Sequence, residues 1–372
     1  LHSFPTRRSS DLAYSTDNGR SFTKYENNPV LTSDARDFRD PKVFWHKETQ
    51  RWIMLLAVGQ EMQIFSSSNL KDWAFESSFG EGQGAHGGVW ECPDLFELPV
   101  DGTNEKKWVL LCNLNPGGPF GGSATQYFVG TFNGKEFVNE SPSKTKWMDW
   151  GKDHYATVTW SDAPDNRRIA IAWMSNWQYA NDVPTSQYRS PNSVPRDLSL
   201  FTVDGETYLQ SAPSPELLKL RDISKKRSFK VNGTRTIKDM IAGNEGAYEI
   251  ELTIENQHAD VIGFRLYNDK GEEVDMQYDM KEKKFSMDRR KSGEVGFNEN
   301  FPMLTWTTIE SGKDELKLRL FVDKSSVEAF GDGGRFVMTN QVFPSEPYTH
   351  IDFYSKGGAY KVDSFVIYKL KK

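Results

Sequence analysis

Cysteine is scarce in this chain: Cys92 and Cys112 are the two among 372 residues. They form neither a zinc pattern nor a disulfide framework. On neighbouring strands they leave one bridge open, with a pair of buried thiols as the other arrangement, so the redox compartment is undetermined. Histidine is also thin, six residues in dispersed positions, and no HExxH or similar cluster occurs. No metal site and no cofactor are indicated. Positive charge is not concentrated, since the net charge is -6 with Lys and Arg scattered. Nucleic acid and anionic membranes are therefore not expected as partners. No apolar run approaches the roughly 18 residues that span a bilayer. The opening LHSFPTRRSSDL lacks an initiator methionine and has no apolar core after Arg7–Arg8. It matches neither a signal peptide nor a twin-arginine leader. Residues 1–12 are set apart as foreign sequence, and the chain proper is expected to begin mid-strand at Ala13 as a fragment of something longer.

What is plentiful points to β-structure. Eleven tryptophans, 14 tyrosines and 29 glycines suit a strand-rich protein with many turns, and aromatic rings of such proteins either fill cores or stack on sugar faces. Three segments share one layout of acid, apolar strand, polar turn and second apolar strand. They are DPKVFWHKETQRWIMLLAV (40–58), ECPDLFELPVDGTNEKKWVLLCNL (91–114) and DHYATVTWSDAPDNRRIAIAWM (153–174). Each is followed by another hairpin pattern: MQIFSSSNLKDWAFES, TQYFVGTFNGKEFVNE and SVPRDLSLFTVDGETYLQS. Four short strands per repeat at this spacing is the signature of β-propeller blades. The first strand of each blade lies nearest the axis, which predicts that Asp40, Glu91 and Asp153 converge there. The alternative is that acids simply open strands at turns.

The texture changes near residue 211. SAPSPELLKLRD carries two prolines and a short helical stretch and predicts a connector. At least seven charged, alternating strands follow, as in a β-sandwich. The expected organisation is all-β: a leader at 1–12, a partial propeller at 13–210, a linker at 211–224 and a sandwich at 225–372. Uncovered sheet edges in an incomplete ring would favour aggregation.

Carboxylates around an axial pocket, with tryptophans nearby, suit glycoside hydrolysis. One carboxyl must donate a proton to the leaving oxygen, and an ionised one must attack the anomeric carbon or activate water. Glu91, between Trp90 and Cys92 at the start of an apolar strand, is the candidate acid because an apolar setting raises a carboxyl pKa. Asp40 stands beside Arg39, whose guanidinium would keep it ionised if the two side chains meet.

DFRDPKVFW and WECPDLFEL resemble the RDP and EC signatures of glycoside hydrolase family 32, the invertase, inulinase and levanase family. The likeness continues through AYSTDNGRSFTKYENNPVL, NPGGPFGGSATQYFVGTFNG, DWGKDHYATVTW and LRLFVDKSSVEAFGDGGRFVMT, and so spans Ala13 to the end. It implies a five-bladed propeller followed by a β-sandwich, acting with retention on terminal β-fructofuranosides of levan, inulin or sucrose. By the resemblance Glu91 is the general acid/base and Asp40 the transition-state stabiliser. Arg39, Cys92, Asp153, Tyr155 and Trp177 are implied to bind substrate, and His154 stands where the family more often has Phe. The NPGGPFGGSATQYF and YANDVPTS segments look most like those of exo-acting fructanases. The family's nucleophile, an aspartate in a WMNDPNG motif, has no counterpart in this sequence, so the chain itself is expected to be inactive. A non-catalytic fructan-binding protein and a fructosyltransferase on the same scaffold are the alternatives. Secretion or export to the periplasm is a family-level expectation for the full-length protein, and the oligomeric state is not legible.

Overall fold

Strands that are apolar on both faces must be covered on both, and this chain meets that demand by stacking sheets. The computed structural model describes residues 8–238, 246–309 and 315–371. At the start, β1 (Arg8–Ser10) pairs with β4 (Leu31–Ser33), and β2 (Ala13–Tyr14) with β3 (Thr23–Lys24). The end of the segment set apart as foreign is thus built into the fold. Its backbone is the partner of residues 30–33, and Leu12 N donates to Asn28 Oδ1 at 2.8 Å.

Three antiparallel sheets follow in chain order. The first is β5 (Phe38–His46), β6 (Arg51–Val58), β7 (Glu61–Ser67) and β8 (Ala74–Phe79). The second is β9 (Val89–Pro99), β10 (Lys106–Asn115), β11 (Ala124–Phe132) and β12 (Phe137–Asn139), with β13 (Lys146–Trp147) also on β11. The third is β14 (Tyr155–Trp160), β15 (Ile169–Trp173), β16 (Arg196–Val203) and β17 (Glu206–Pro213). These are the blade-like repeats expected from the hairpin spacing.

Period-two alternation sends successive side chains to opposite faces. Ile53, Leu55 and Ala57 of β6 share a core with Leu110, Cys112 and Leu114 of β10. Met54, Leu56 and Val58 point the other way, against Phe38 and Phe65. Val109 and Leu111 of β10 join Leu198 and Leu200 of β16. The runs IMLLAV and VLLC are apolar throughout because the middle strands of a stack have no solvent face. Each such Leu or Ile contributes about 1.5–3 kcal/mol on burial.

A 3-10 turn at Pro215–Leu220 leads into the second unit. Its strands are β18 (Arg221–Ile237), β19 (Tyr248–Asn256), β20 (Val261–Tyr267), β21 (Glu273–Asp279), β22 (Lys284–Lys291), β23 (Leu304–Thr308), β24 (Glu315–Asp323), β25 (Ser326–Gly331), β26 (Phe336–Gln341) and β27 (His350–Leu370). Residues 350–356 of β27 pair with β20, whereas residues 360–369 pair with β19. β18 accompanies β27 through both parts. The long strand folds over at Gly357 and Gly358, with φ of +72° and +156°. A Cβ at 357 would lie 1.7 Å from Asp260 Oδ2. One continuous hydrogen-bonded sheet thereby becomes the two layers of a sandwich around Ile250, Phe264, Leu320 and Phe353.

The sandwich docks on the stack through β26. Trp150 N donates to Val337 O at 2.7 Å and Asp153 N to Thr339 O at 3.1 Å. The approach requires glycine at 151, where a Cβ would sit 2.0 Å from Thr339 O. Backbone on both sides leaves nothing flexible to give way. Gly151→Ala is expected to lower stability by about 1–3 kcal/mol, the usual cost of overpacking; a melting temperature equal to wild type would contradict this close approach.

Candidate active site

The inner strand of each sheet carries the same irregularity. Arg39 pairs with Ala57 but Lys42 with Leu55; Glu91 pairs with Asn113 but Asp94 with Leu111; Tyr155 pairs with Trp173 but Val158 with Ile171. Three steps on the inner strand match two on its partner, which is a β-bulge. The residue after the last regular pair has a left-handed backbone in all three: Asp40 at φ 57°, Cys92 at 44° and Ala156 at 52°. The structurally equivalent positions are therefore Arg39, Glu91 and Tyr155.

This corrects the register expected from the acids. Asp40 is equivalent to Cys92, one place after Glu91, and Asp153 lies two places before the equivalent Tyr155. The side chains that meet are those of the true triplet. Arg39 Nη2 lies 3.0 Å from Glu91 Oε1, and the Tyr155 hydroxyl donates to Glu91 Oε2. Glu91 is thus held in a polar grip, not the apolar setting inferred from Trp90, which is fully buried on the opposite face of the strand. Arg39 pairs with Glu91 and, at 2.9 Å, with Asp37, not with Asp40 as sequence adjacency suggested. Asp40 Oδ2 instead accepts from Cys92 N at 2.9 Å and lies 3.7 Å from its Sγ. Residues 40 and 91 therefore share one small region.

The electrostatics follow from this packing. Burial, then the negative charges of Asp40 and Glu91, push the Cys92 thiol up to about 12. Burial and the bond to Glu91 push the Tyr155 phenol far above its ordinary value, so it stays protonated and can donate to Glu91. Both cysteines are free thiols; Cys112 is buried, but Cys92 is partly open to the cluster. Trp177 is 52 % exposed, with its ring 4.9 Å from that of Trp173, which in turn lies 6.2 Å from Tyr155. An aromatic surface thus continues outward from the Glu91 grip.

Asp153 is not in this cluster. It is fully buried, pairs with Arg289 of β22, and accepts from Tyr179 Oη and from Gln341 N at 2.8 Å. It is a junction residue between the stack and the sandwich, so the reading of Asp153 as a substrate contact is replaced. A tier that the sequence reading missed lies one step along the same strands. Lys42 Nζ sits 3.1 Å from Asp94 Oδ2, which also accepts from Thr159 N and Oγ1 at 3.1 and 2.7 Å. The signal for it was the matched offset of three residues, Arg39 to Lys42 and Glu91 to Asp94. Two cavities elsewhere, about 330 Å³ beside Trp147 and Phe336 and about 740 Å³ beside Trp45 and Arg168, have no part in the Glu91 cluster. Among the described residues no group of three or more His, Cys, Asp and Glu side chains is placed to hold a metal ion.

A stack of four-stranded β-sheets docked to a β-sandwich, with a glutamate gripped between the inner strands, defines a glycoside-hydrolase architecture. The family model for the glycosyl hydrolases family 32 N-terminal domain matches residues 5–213, and that for the family's C-terminal domain matches residues 216–369. The chain belongs to glycosyl hydrolases family 32. It is 44 % identical over 371 residues to a levanase of Bacillus subtilis (strain 168), covering 97 % of this chain and 54 % of that protein. An extracellular exo-inulinase of Aspergillus awamori is 36 % identical over 392 residues, covering 98 % of this chain and 72 % of that one. The crystal structure of exo-inulinase from Aspergillus awamori superposes with a TM-score of 0.88 at 33 % identity, covering 99 % of this chain and 75 % of that chain. A fructofuranosidase from Schwanniomyces occidentalis complexed with fructose gives 0.87 at 32 %, with 99 % and 77 % covered. The chain spans about half the length of the levanases it matches, 54 % and 41 %.

His154, next to Tyr155, is buried beside Asp149, Arg196 and Thr157. Burial, then the Arg196 charge, push its imidazole down to about 3, against the pull of Asp149. Its unfolded value is about 6.5. The stability that neutral His154 contributes is full above pH 6.5 and is lost as pH falls from there toward 3, because the unfolded chain takes up a proton that the folded one refuses. At pH 4.5 this linkage is roughly 2–3 kcal/mol. His154→Phe is expected to lose less melting temperature than wild type between pH 7 and 4.5. Equal losses in the two proteins would contradict a neutral buried imidazole.

Proposed function

We propose that the Glu91 cluster is the acid–base side of a retaining β-fructofuranosidase site, with levan, inulin and sucrose as the substrate class. The observation that carries this reading is the meeting of Arg39, Glu91 and Tyr155 from three sheets, with Asp40 fixed one residue from Glu91. In this reading the Glu91 carboxyl gives its proton to the glycosidic oxygen as the bond to the anomeric carbon breaks, then takes one from water in the second step. Arg39 and Tyr155 hold that carboxyl in one orientation, which is where positioning gains most of its rate. The Asp40 carboxylate accepts hydrogen bonds from furanose hydroxyls and offsets positive charge on the oxocarbenium-like transition state. Cys92 N keeps it in place, and Trp177 offers a face for the ring. The levanase, exo-inulinase and invertase names of the relatives support this substrate class. The extracellular relatives support secretion of the protein.

Retention requires a second carboxylate about 5–5.5 Å from the acid, on the far side of the sugar. We infer that this nucleophile is not among the chain's own residues. No WMNDPNG-like motif occurs in the sequence, and Asp37 is already engaged by Arg39. Loss of one such group commonly costs several orders of magnitude in rate. The chain is expected to bind fructose but to release none from levan, inulin or sucrose. Turnover that disappears in Glu91→Gln would place the nucleophile within these 372 residues and overturn that part of the reading. Absence of fructose binding, measured by calorimetry, would overturn the assignment of the site.

A further inference from the structure

We propose that Arg289, on strand β22 of the sandwich, is a positioning residue for the Glu91 pocket, acting through Asp153 and Tyr179. This inference rests on the reading of that pocket as a fructose site. Arg289 Nη1 pairs with Asp153 Oδ2, and Nη2 donates to Tyr179 Oη at 2.8 Å. Tyr179 Oη in turn donates to Asp153 Oδ1 at 2.5 Å, so the three side chains close a ring of contacts. Arg289 itself is fixed by donating from Nε to Phe301 O at 2.8 Å and from Nη1 to Gln341 O at 3.1 Å. All three side chains are buried.

Each partner of Arg289 lies two residues from a pocket side chain. Asp153 precedes Tyr155, which donates to Glu91; Tyr179 follows Trp177, the exposed ring beside Trp173. The two backbone segments are also tied to each other. Asn176 Nδ2 donates to Lys152 O at 3.0 Å, and its Oδ1 accepts from Gln178 N at 3.0 Å. Residues 152–155 and 176–179 therefore behave as one body, and Arg289 anchors that body to the sandwich. A guanidinium is suited to this task because its planar donors bind two partners and two carbonyls at fixed angles, which an ammonium cannot reproduce. A second buried junction, in which Arg196 pairs with Asp149 and Glu328 at 2.9 and 2.8 Å, provides the contrast. It joins the same two units, and the groups that Glu328 itself accepts from, Val194 N, Arg196 Nη2 and Thr339 Oγ1, all lie outside residues 153–156 and 176–179.

The test compares Arg289→Lys and Tyr179→Phe with Glu328→Gln in the full chain. Fructose binding is measured by calorimetry, stability by thermal unfolding, and local opening by amide hydrogen exchange. Tyr179→Phe keeps the ring and removes only the hydroxyl, so it decides the matter should Arg289→Lys not fold. Arg289→Lys and Tyr179→Phe are expected to weaken fructose binding about tenfold and to speed exchange at 153–156 and 176–179. Glu328→Gln is expected to lower the melting temperature while leaving affinity and exchange at those segments unchanged. Wild-type affinity and exchange in a folded Tyr179→Phe would overturn the proposal, as would equal losses in all three variants. If wild type itself binds no fructose, the reading of the site has failed, and the exchange comparison alone decides whether Arg289 orders these segments.

Discussion

A left-handed backbone residue at the same bulge of three inner strands is the constraint on which this site depends. Asp40, Cys92 and Ala156 each hold a conformation that costs a non-glycine residue of order 1–3 kcal/mol. The bulge also leaves, two residues after Arg39, Glu91 and Tyr155, a position whose N–H would have no ladder partner. In the first two sheets that residue is Pro41 or Pro93, which has no N–H to leave unpaired and is tolerated in sheets at such points. In the third it is Thr157, whose N–H donates to Asn113 Oδ1 at 3.0 Å. Two solutions to one accounting problem keep the three strands alike. The reward is that Arg39, Glu91 and Tyr155, far apart in sequence, arrive at one place.

That geometry explains what the sequence disclosed and what it concealed. The number of hairpins, the stacking of sheets and the sandwich followed from short apolar runs such as IMLLAV, from alternating strands further on and from turn spacing. The grouping of Arg39, Asp40, Glu91 and Tyr155 followed from the resemblance of their motifs to a known family. Register did not, because acids were aligned with acids. The repeat is marked by backbone conformation, and Arg, Glu and Tyr at its equivalent position share no side-chain property. Asp153 was misplaced for that reason. An acid at a strand opening is equally compatible with a pocket and with a buried partner 136 positions away, and Arg289 gives no local sign of being that partner.

The junction between the two units is built from charge to an unusual degree. Asp149, Asp153, Arg196, Arg289 and Glu328 are all buried. Arg196 stands between two carboxylates. Burial opposes both charges, but Arg196 and the Thr339 hydroxyl hold Asp149 below its usual range, whereas burial prevails at Glu328 and pushes it up. Such pairs add little net stability compared with an apolar contact, yet removing one partner costs about 3–5 kcal/mol because the other charge stays buried. A junction of this kind penalises every misaligned docking far more than an apolar one would. Its effect is to fix the register between β26 and residues 150–153, which the backbone bonds and Gly151 then exploit.

The inner strands meet twice, and the two meetings differ in a way that separates support from chemistry. At the first, the Glu91 side chain remains 24 % exposed, within reach of a ligand. At the second, three residues along, Asp94 is buried and engaged by Lys42 and Thr159. One contact point would leave the strands free to pivot about it. Two points, about 7 Å apart because three bulged residues span two on the partner strand, fix both height and rotation of neighbouring sheets. The buried tier can do this because it need never open to solvent. The exposed tier can present a carboxyl to solvent because its orientation is already set from below.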